Sequence, residues 1–210
     1  MNKQVLDLVN RPNIKGFIFD MDGTLLDSEV WTINMMKNLV EEKTGIISNL
    51  GHEELAGLGY PDKMTKILGY HDQDMIDLAI ATGSKYYCEI AKPINGVNEI
   101  LSAIKKTGKK MTIGTNGHID LLMPAFDKLS VRMNVYQGSI KGVIDKKPEP
   151  DIFLAAIAKI GLEPHEVAIF EDSESGTQAA LAAKVPVENI LVFNQHKRAP
   201  KGFNTFETWL

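Results

Sequence analysis

Phe17-Ile18-Phe19-Asp20-Met21-Asp22-Gly23-Thr24 is an apolar run that ends in two carboxylates one residue apart, followed by a glycine and a hydroxyl. Lys15 to Phe19 is short, β-branched and aromatic, and its core is apolar on both faces, as a buried parallel strand should be. Asp20 therefore stands at the carboxyl end of a strand, where open α/β sheets place their ligand crevice. Gly23 permits a sharp turn, so Asp20 and Asp22 can point into one small space. Two like charges that close raise each other's pKa unless a cation or a proton intervenes. A hard, oxygen-seeking ion such as Mg²⁺ is the simplest resolution. A calcium EF-hand loop does not fit, because its glycine belongs at the sixth position, Gly23 is fourth from Asp20, and Trp31 stands where the bidentate glutamate should be.

Working outward, Asp27 or Ser28 should cap a helix that ends near Gly45, with Trp31, Met35, Leu39 and Val40 on one face. From there to about residue 91 only helical signals occur: a short segment around Glu53 to Ala56, one opened by Pro61, and a longer one from Asp72 to Ile90. No strand is expected in that run. A helical block inserted directly after a strand-end acid pair reads as a cap over the site, tethered near Leu25 to Ser28 and near Ala91 to Gly96. Strand and helix alternate again after Gly96. Helices are expected at Val97 to Lys106, Pro124 to Leu129, Asp151 to Ile160 and Gly176 to Ala183; strands at Lys110 to Gly114, Val135 to Gly138, Glu166 to Phe170 and Asn189 to Phe193. Alternation of this kind implies a parallel, doubly wound sheet. The expected architecture is α/β, with a core of residues 1–26 and 95–210 and an all-helical insert of residues 27–94.

Composition narrows the function classes. The chain has 210 residues, 44% hydrophobic and 24% charged, with a net charge of −4. No apolar run approaches membrane-spanning length, and Met1 to Pro12 is mixed polar without a signal-peptide core. Cys88 stands alone, which excludes an internal disulfide and fits a reducing cytoplasm. No dense Lys/Arg block exists, so a nucleic-acid backbone is not an expected partner. No membrane or protein partner is indicated either, whereas a small anion in a locally positive pocket is compatible with the composition.

Three further strand ends should converge on Asp20. One is Thr115-Asn116-Gly117-His118, with a hydroxyl, an amide and a turn of backbone N–H groups. A second is Lys146-Lys147-Pro148-Glu149-Pro150-Asp151, a lysine before a rigid turn that opens a helix. The third is Glu171-Asp172-Ser173-Glu174-Ser175-Gly176, a second acidic cluster. Taken singly each reads as a helix cap or a surface turn. Together they supply what phosphoryl transfer through a carboxylate nucleophile requires. Mg²⁺ held by Asp20, the backbone carbonyl of Asp22 and Asp172, with Glu171 behind them, would let one anion approach another. Lys147 and Thr115, with nearby N–H groups of Asn116 and Gly117, would steady the phosphoryl oxygens, each such donor being worth about 3 kcal/mol. Asp20 would carry the phosphoryl group. Asp22 would protonate the leaving alcohol and then deprotonate the attacking water.

These four segments, in this order and with a helical insert after the first, resemble the haloacid dehalogenase superfamily, and within it the β-phosphoglucomutase-like branch with a C1 cap. The resemblance covers essentially the whole chain. It implies a Rossmann-like core, a mobile cap and Mg²⁺-dependent phosphoryl transfer on a small phosphorylated metabolite such as a sugar or polyol phosphate. Dehalogenases and phosphonatases lack the second acid, so Asp22 argues for an alcohol leaving group. Sugar-phosphate mutases carry a cap histidine where this chain has Thr32 and a cap arginine where it has Tyr60. The three arginines, Arg11, Arg132 and Arg198, all lie outside the insert. A phosphatase is thus expected over a mutase, with Tyr60 and Lys63 as the cap residues that would meet substrate. A receiver-type signalling module is disfavoured by the insert, and a catalytically idle protein by the intact set of motif residues.

Overall fold

The computed structural model describes residues 1–117, 125–137, 145–194 and 199–210. Among the described residues, strand β1 (Gly16–Phe19) lies in the middle of a six-stranded sheet. The apolar run that forms it has no polar face to give to water, so both its edges and both its faces must be covered. On one side it pairs with β4 (Lys110–Thr115), which pairs with β5 (Asn134–Gln137). On the other it pairs with β6 (Val167–Glu171), followed by β7 (Ile190–Phe193) and β8 (Asn204–Phe206). Every pairing is parallel, which makes the fold the α/β, Rossmann-like arrangement expected.

Strand alternation divides the core into two layers. Phe17 and Phe19 face the larger apolar cluster, and Ile18 faces the other, with Phe153 and Ile157. In the first layer Phe19 stacks on Phe170 with centroids 5.2 Å apart, and Trp209 packs on Phe170 at 5.1 Å and on Phe206 at 4.7 Å. Trp209 is fully buried and its indole N–H donates to the Thr24 carbonyl at 3.2 Å, which pins the tail against the loop after β1. Helices α1 (Lys3–Asn10) and α6 (Val97–Lys106) bury Val5, Leu8 and Val9, and Val97, Ile100, Leu101 and Ile104, against that layer. On the opposite face lie α7 (Asp151–Ile160) and α8 (Glu174–Ala182).

Between β1 and β4 the chain enters and leaves a helical region through a two-residue antiparallel ribbon, β2 (Leu26–Asp27) against β3 (Lys92–Pro93). Its helices are α2 (Glu29–Thr44), α3 (His52–Leu55), α4 (Tyr60–Leu68) and α5 (Gln73–Ile90). Helix α2 ends at Gly45, whose φ of 75° places it in the left-handed region that glycine enters without steric strain.

The structure corrects several sequence expectations. Helix α1, edge strand β8 and the β2–β3 ribbon were not expected. Helix α1 is capped by Asn2, which accepts from the backbone N–H of Gln4 and Val5, and its apolar stripe is only three residues wide. The buried stripe of α2 is Thr32, Ile33, Met36, Leu39 and Val40, with Trp31 and Met35 only half buried, because Glu29 and Thr32 turn toward the strand ends and rotate the helix by about one residue. Of the expected Pro124 to Leu129 helix, Ala125 and Phe126 are helical while Pro124 lies outside the described residues, as do Gly138 and His118. Among the described residues no helix is long and apolar enough to cross a membrane.

Candidate active site

The carboxyl ends of β1, β4 and β6 bring the sequence motifs together. Asp20 continues the β1 ladder by one bond, its N–H donating to the Phe170 carbonyl at 2.8 Å, and this fixes its side chain over the strand ends. The Asp20 carboxylate accepts from the Lys147 ammonium at 2.5 Å, and the same ammonium donates to Glu171. Lys147 is buried, 5.0 Å above the Phe153 ring, so its charge is directed at these two acids rather than at water. Asn116 locks the lysine's backbone: its Oδ1 accepts from the Lys147 N–H at 2.9 Å, and its amide donates to the Lys147 carbonyl at 3.3 Å and to the Gly57 carbonyl at 3.2 Å. Thr115 is buried, and its hydroxyl oxygen accepts from the Gly117 N–H at 2.9 Å. That N–H, read from the sequence as a free donor, is therefore engaged.

Glu171 is fully buried and its second oxygen accepts from the N–H groups of Asp172 and Ser173 at 3.0 and 3.2 Å and from the Ser173 hydroxyl at 3.0 Å. Gly176 leaves room for it, since a β-carbon there would come within 1.9 Å of the Glu171 carboxyl carbon. Gly23, at φ 82°, does the same for Asp172, whose Oδ2 would lie 2.2 Å from a β-carbon. Carboxylate oxygens of Asp20, Glu171 and Asp172 lie within 4.8 Å of one another.

Three acids against one lysine leave the cluster short of positive charge. Burial, with the repulsion of Glu171 and Asp22, holds the Asp20 carboxyl well above its ordinary pKa despite Lys147. Burial, then Glu29, Asp20 and Glu171, does the same to Asp172. For Lys147 burial pulls the pKa down, but the attraction of Asp20 and Glu171 outweighs it and the group stays protonated. An all-oxygen, buried donor set that repels itself is a good fit for a hard divalent cation.

Asp22 behaves differently. Its Oδ1 accepts from the Ser28 hydroxyl and from the Tyr87 hydroxyl, which are 3.2 Å from each other. The carboxylate is thus turned toward the helical region, away from the Asp20, Glu171 and Asp172 group. Ser28 does occupy the N-cap position of α2, but its side chain makes no cap bond because it serves Asp22. Burial, and then the nearby Asp22 charge, raises the Tyr87 pKa and keeps the phenol protonated.

Across a cavity of about 20 Å³ from Asp20 stand Glu29, Thr32, Tyr60 and Lys63. Lys63, buried, pairs with Glu29 at 3.1 Å, and the Gly57 N–H donates to the same Glu29 oxygen at 2.9 Å. The Tyr60 hydroxyl is buried next to Thr32 but outside hydrogen-bond geometry, and burial raises its pKa. Tyr60 and Lys63 therefore do line the space over Asp20, as the sequence suggested. Sequence reasoning missed Glu29 and Tyr87. Glu29 reads as a first-turn helix acid, and Tyr87 carries no motif, so only the packing reveals either.

A sequence profile of the haloacid dehalogenase-like hydrolases matches residues 17–190. The phosphorylated carbohydrates phosphatase of Thermotoga maritima is 24% identical over 181 residues, covering 82% of each chain. The phosphoglycolate phosphatase of Salmonella typhi is 26% identical over 207 residues, covering 83% of this chain and 80% of its own. In fold, the chain is similar to the β-phosphoglucomutase of Clostridium difficile, with a TM-score of 0.73 at 18% identity over 93% of this chain and 92% of that one.

Proposed function

The chain belongs to the haloacid dehalogenase-like hydrolases and is an enzyme of the phosphatase kind, and on that premise we propose that it hydrolyses a small sugar or polyol phosphate in the cytoplasm through an aspartyl-phosphate on Asp20. The observation that carries this reading is the Asp20 carboxylate held at 2.5 Å by a buried lysine beside a cluster of acid oxygens. In this reading residues 1–26 and 95–210 form the core and residues 27–94 a cap whose movement admits substrate. Asp20, Asp172 and the backbone carbonyl of Asp22 would hold Mg²⁺, with Glu171 behind them; when bound, the ion supplies positive charge beside the phosphate oxygens.

The remaining chemistry belongs to the side chains. One oxygen of Asp20 attacks phosphorus and displaces the alcohol, forming the acyl phosphate. Lys147 orients that oxygen and, with Thr115, donates to the phosphoryl group. Asp22, in its protonated form, turns from Tyr87 and Ser28 to give that proton to the departing alkoxide, and as the resulting carboxylate takes one from the water that cleaves the acyl phosphate at phosphorus, which restores the acid for the next cycle. Thr32 and Tyr60 line the cavity where the resemblance places a mutase's histidine and arginine, and of the arginines Arg11 bonds the Glu188 carbonyl and Arg132 bonds Asp127, while Arg198 lies outside the described residues. No clamp for a second phosphate is thereby offered among the described residues, which favours hydrolysis over isomerisation. The test is a screen of sugar, polyol, nucleotide and cofactor phosphates with Mg²⁺, Asp20→Asn serving as the blank and isomerised product measured beside free phosphate. Absence of phosphate release from the whole panel refutes the proposal.

A further inference from the structure

We propose that Glu29 sets the charge selectivity of this site, neutralising Lys63 so that the enzyme accepts phosphate esters of uncharged, hydroxyl-bearing alcohols and rejects those whose leaving group carries a carboxylate or a second phosphate. The inference rests on the phosphatase reading above and adds the class of leaving group.

Among the described residues lining the small cavity, Lys63 is the one cation contributed by the helical region. An anionic leaving group needs such a cation, and in a desolvated pocket needs it unpaired. Here the ammonium is 3.1 Å from Glu29, and the Lys63 side chain is as buried as its partner, with exposures of 6% and 7%. The Gly57 N–H holds the same carboxylate oxygen, so Glu29 cannot easily turn away. The next cation along the seam, Lys146, is likewise paired, with Asp62 of α4. Among the described residues, the larger neighbouring cavity, about 400 Å³, is lined by Glu53, Glu54, Asp172 and Glu174 and by no lysine or arginine. A leaving group extending either way meets a compensated pair or an acidic wall. What the small cavity offers instead is an unpartnered buried phenol, Tyr60, beside the Thr32 hydroxyl. Neutral hydroxyls can bond to both without bringing charge into the pocket.

The experiment compares kcat/KM, with Mg²⁺, for glycerol and hexitol monophosphates against phosphoglycolate and a hexose bisphosphate. Wild type should prefer the first pair by roughly ten-fold or more, and Glu29→Gln should erase most of that preference by lowering KM for the anionic substrates, since removing one buried counter-charge at such distances is worth about a factor of ten or more. Glu29→Asp should keep the preference, and adding Lys63→Gln to Glu29→Gln should restore it. Equal wild-type efficiency on both classes overturns the proposal whether or not the variants fold, as does an unchanged ratio in a folded Glu29→Gln protein. Failure to release phosphate from any substrate instead removes the phosphatase reading on which the proposal stands.

Discussion

The sheet wall and the helical wall of the site are made differently. The sheet wall sets Asp20, Glu171 and Asp172 against a single buried lysine and is short of positive charge. The helical wall is balanced: Lys63 answers Glu29, and the phenols of Tyr60 and Tyr87 are kept protonated by burial. A wall that lacks charge attracts a cation and the anion that follows it. A balanced wall selects by shape and hydrogen bonds. Reaction and selection are thus divided between strand ends and helices.

The largest effect expected from breaking this division is at Asp20. Asp20→Asn should lower phosphate release by roughly a thousand-fold or more, the scale seen when a nucleophile is removed, while Tyr87→Phe on the helical side should lower kcat by no more than about ten-fold. Steady-state phosphate release compares the two. Next is the response to metal. EDTA should stop turnover, and Mg²⁺ at about a hundred times its Kd should add about 2.7 kcal/mol to the stability of the apoprotein. Asp172→Asn should abolish that gain, and by relieving the repulsion among the acids it should make the metal-free protein more stable by about 1 kcal/mol. Thermal melts with and without Mg²⁺ read both effects, and a Mg²⁺ gain that survives Asp172→Asn breaks the account of the sheet wall. Smaller still, Tyr87→Phe should cost about 1 kcal/mol in urea unfolding, because the phenol's bond to Asp22 is lost and the site is only part-buried. Smallest is Lys146→Ala at the exposed rim, where the pair with Asp62 is screened by water and unfolding free energy should change by less than about 0.5 kcal/mol.

The same division explains what could be read from the sequence. Asp20, Thr115 and Asp172 sit at the ends of apolar runs and so announce both their strand and their position on it, while Lys147 announces itself by the rigid turn that opens α7. Their partners at a distance, such as the Asn116 bonds to Lys147 and Gly57, are then consequences of the parallel order. On the helical wall the 3.6-residue period says that α2 has an inner face but fixes its rotation only loosely. The Trp31 and Met35 stripe was accordingly wrong by one residue, and Glu29 passed for a dipole partner. Tyr87 reaches Asp22 from 65 positions away, a contact that no local pattern encodes. Helix α1 and strand β8 escaped notice for a different reason: each contributes three or fewer core side chains, too few for a period to stand out.

Strand β1 carries a consequence for the order in which the protein is made. Its two neighbours in the sheet, β4 and β6, begin at Lys110 and Val167, so the nucleophile's strand leaves the ribosome long before either flank exists. At roughly 5–20 residues per second the wait for β6 is on the order of ten to thirty seconds. The loop after β1 then waits longer, for Trp209 to reach the Thr24 carbonyl. During that interval the segment is a bare apolar tract followed by two acids, a natural client for a chaperone, and the nascent chain cannot assemble its buried acid and lysine cluster until Lys147, Glu171 and Asp172 have been added.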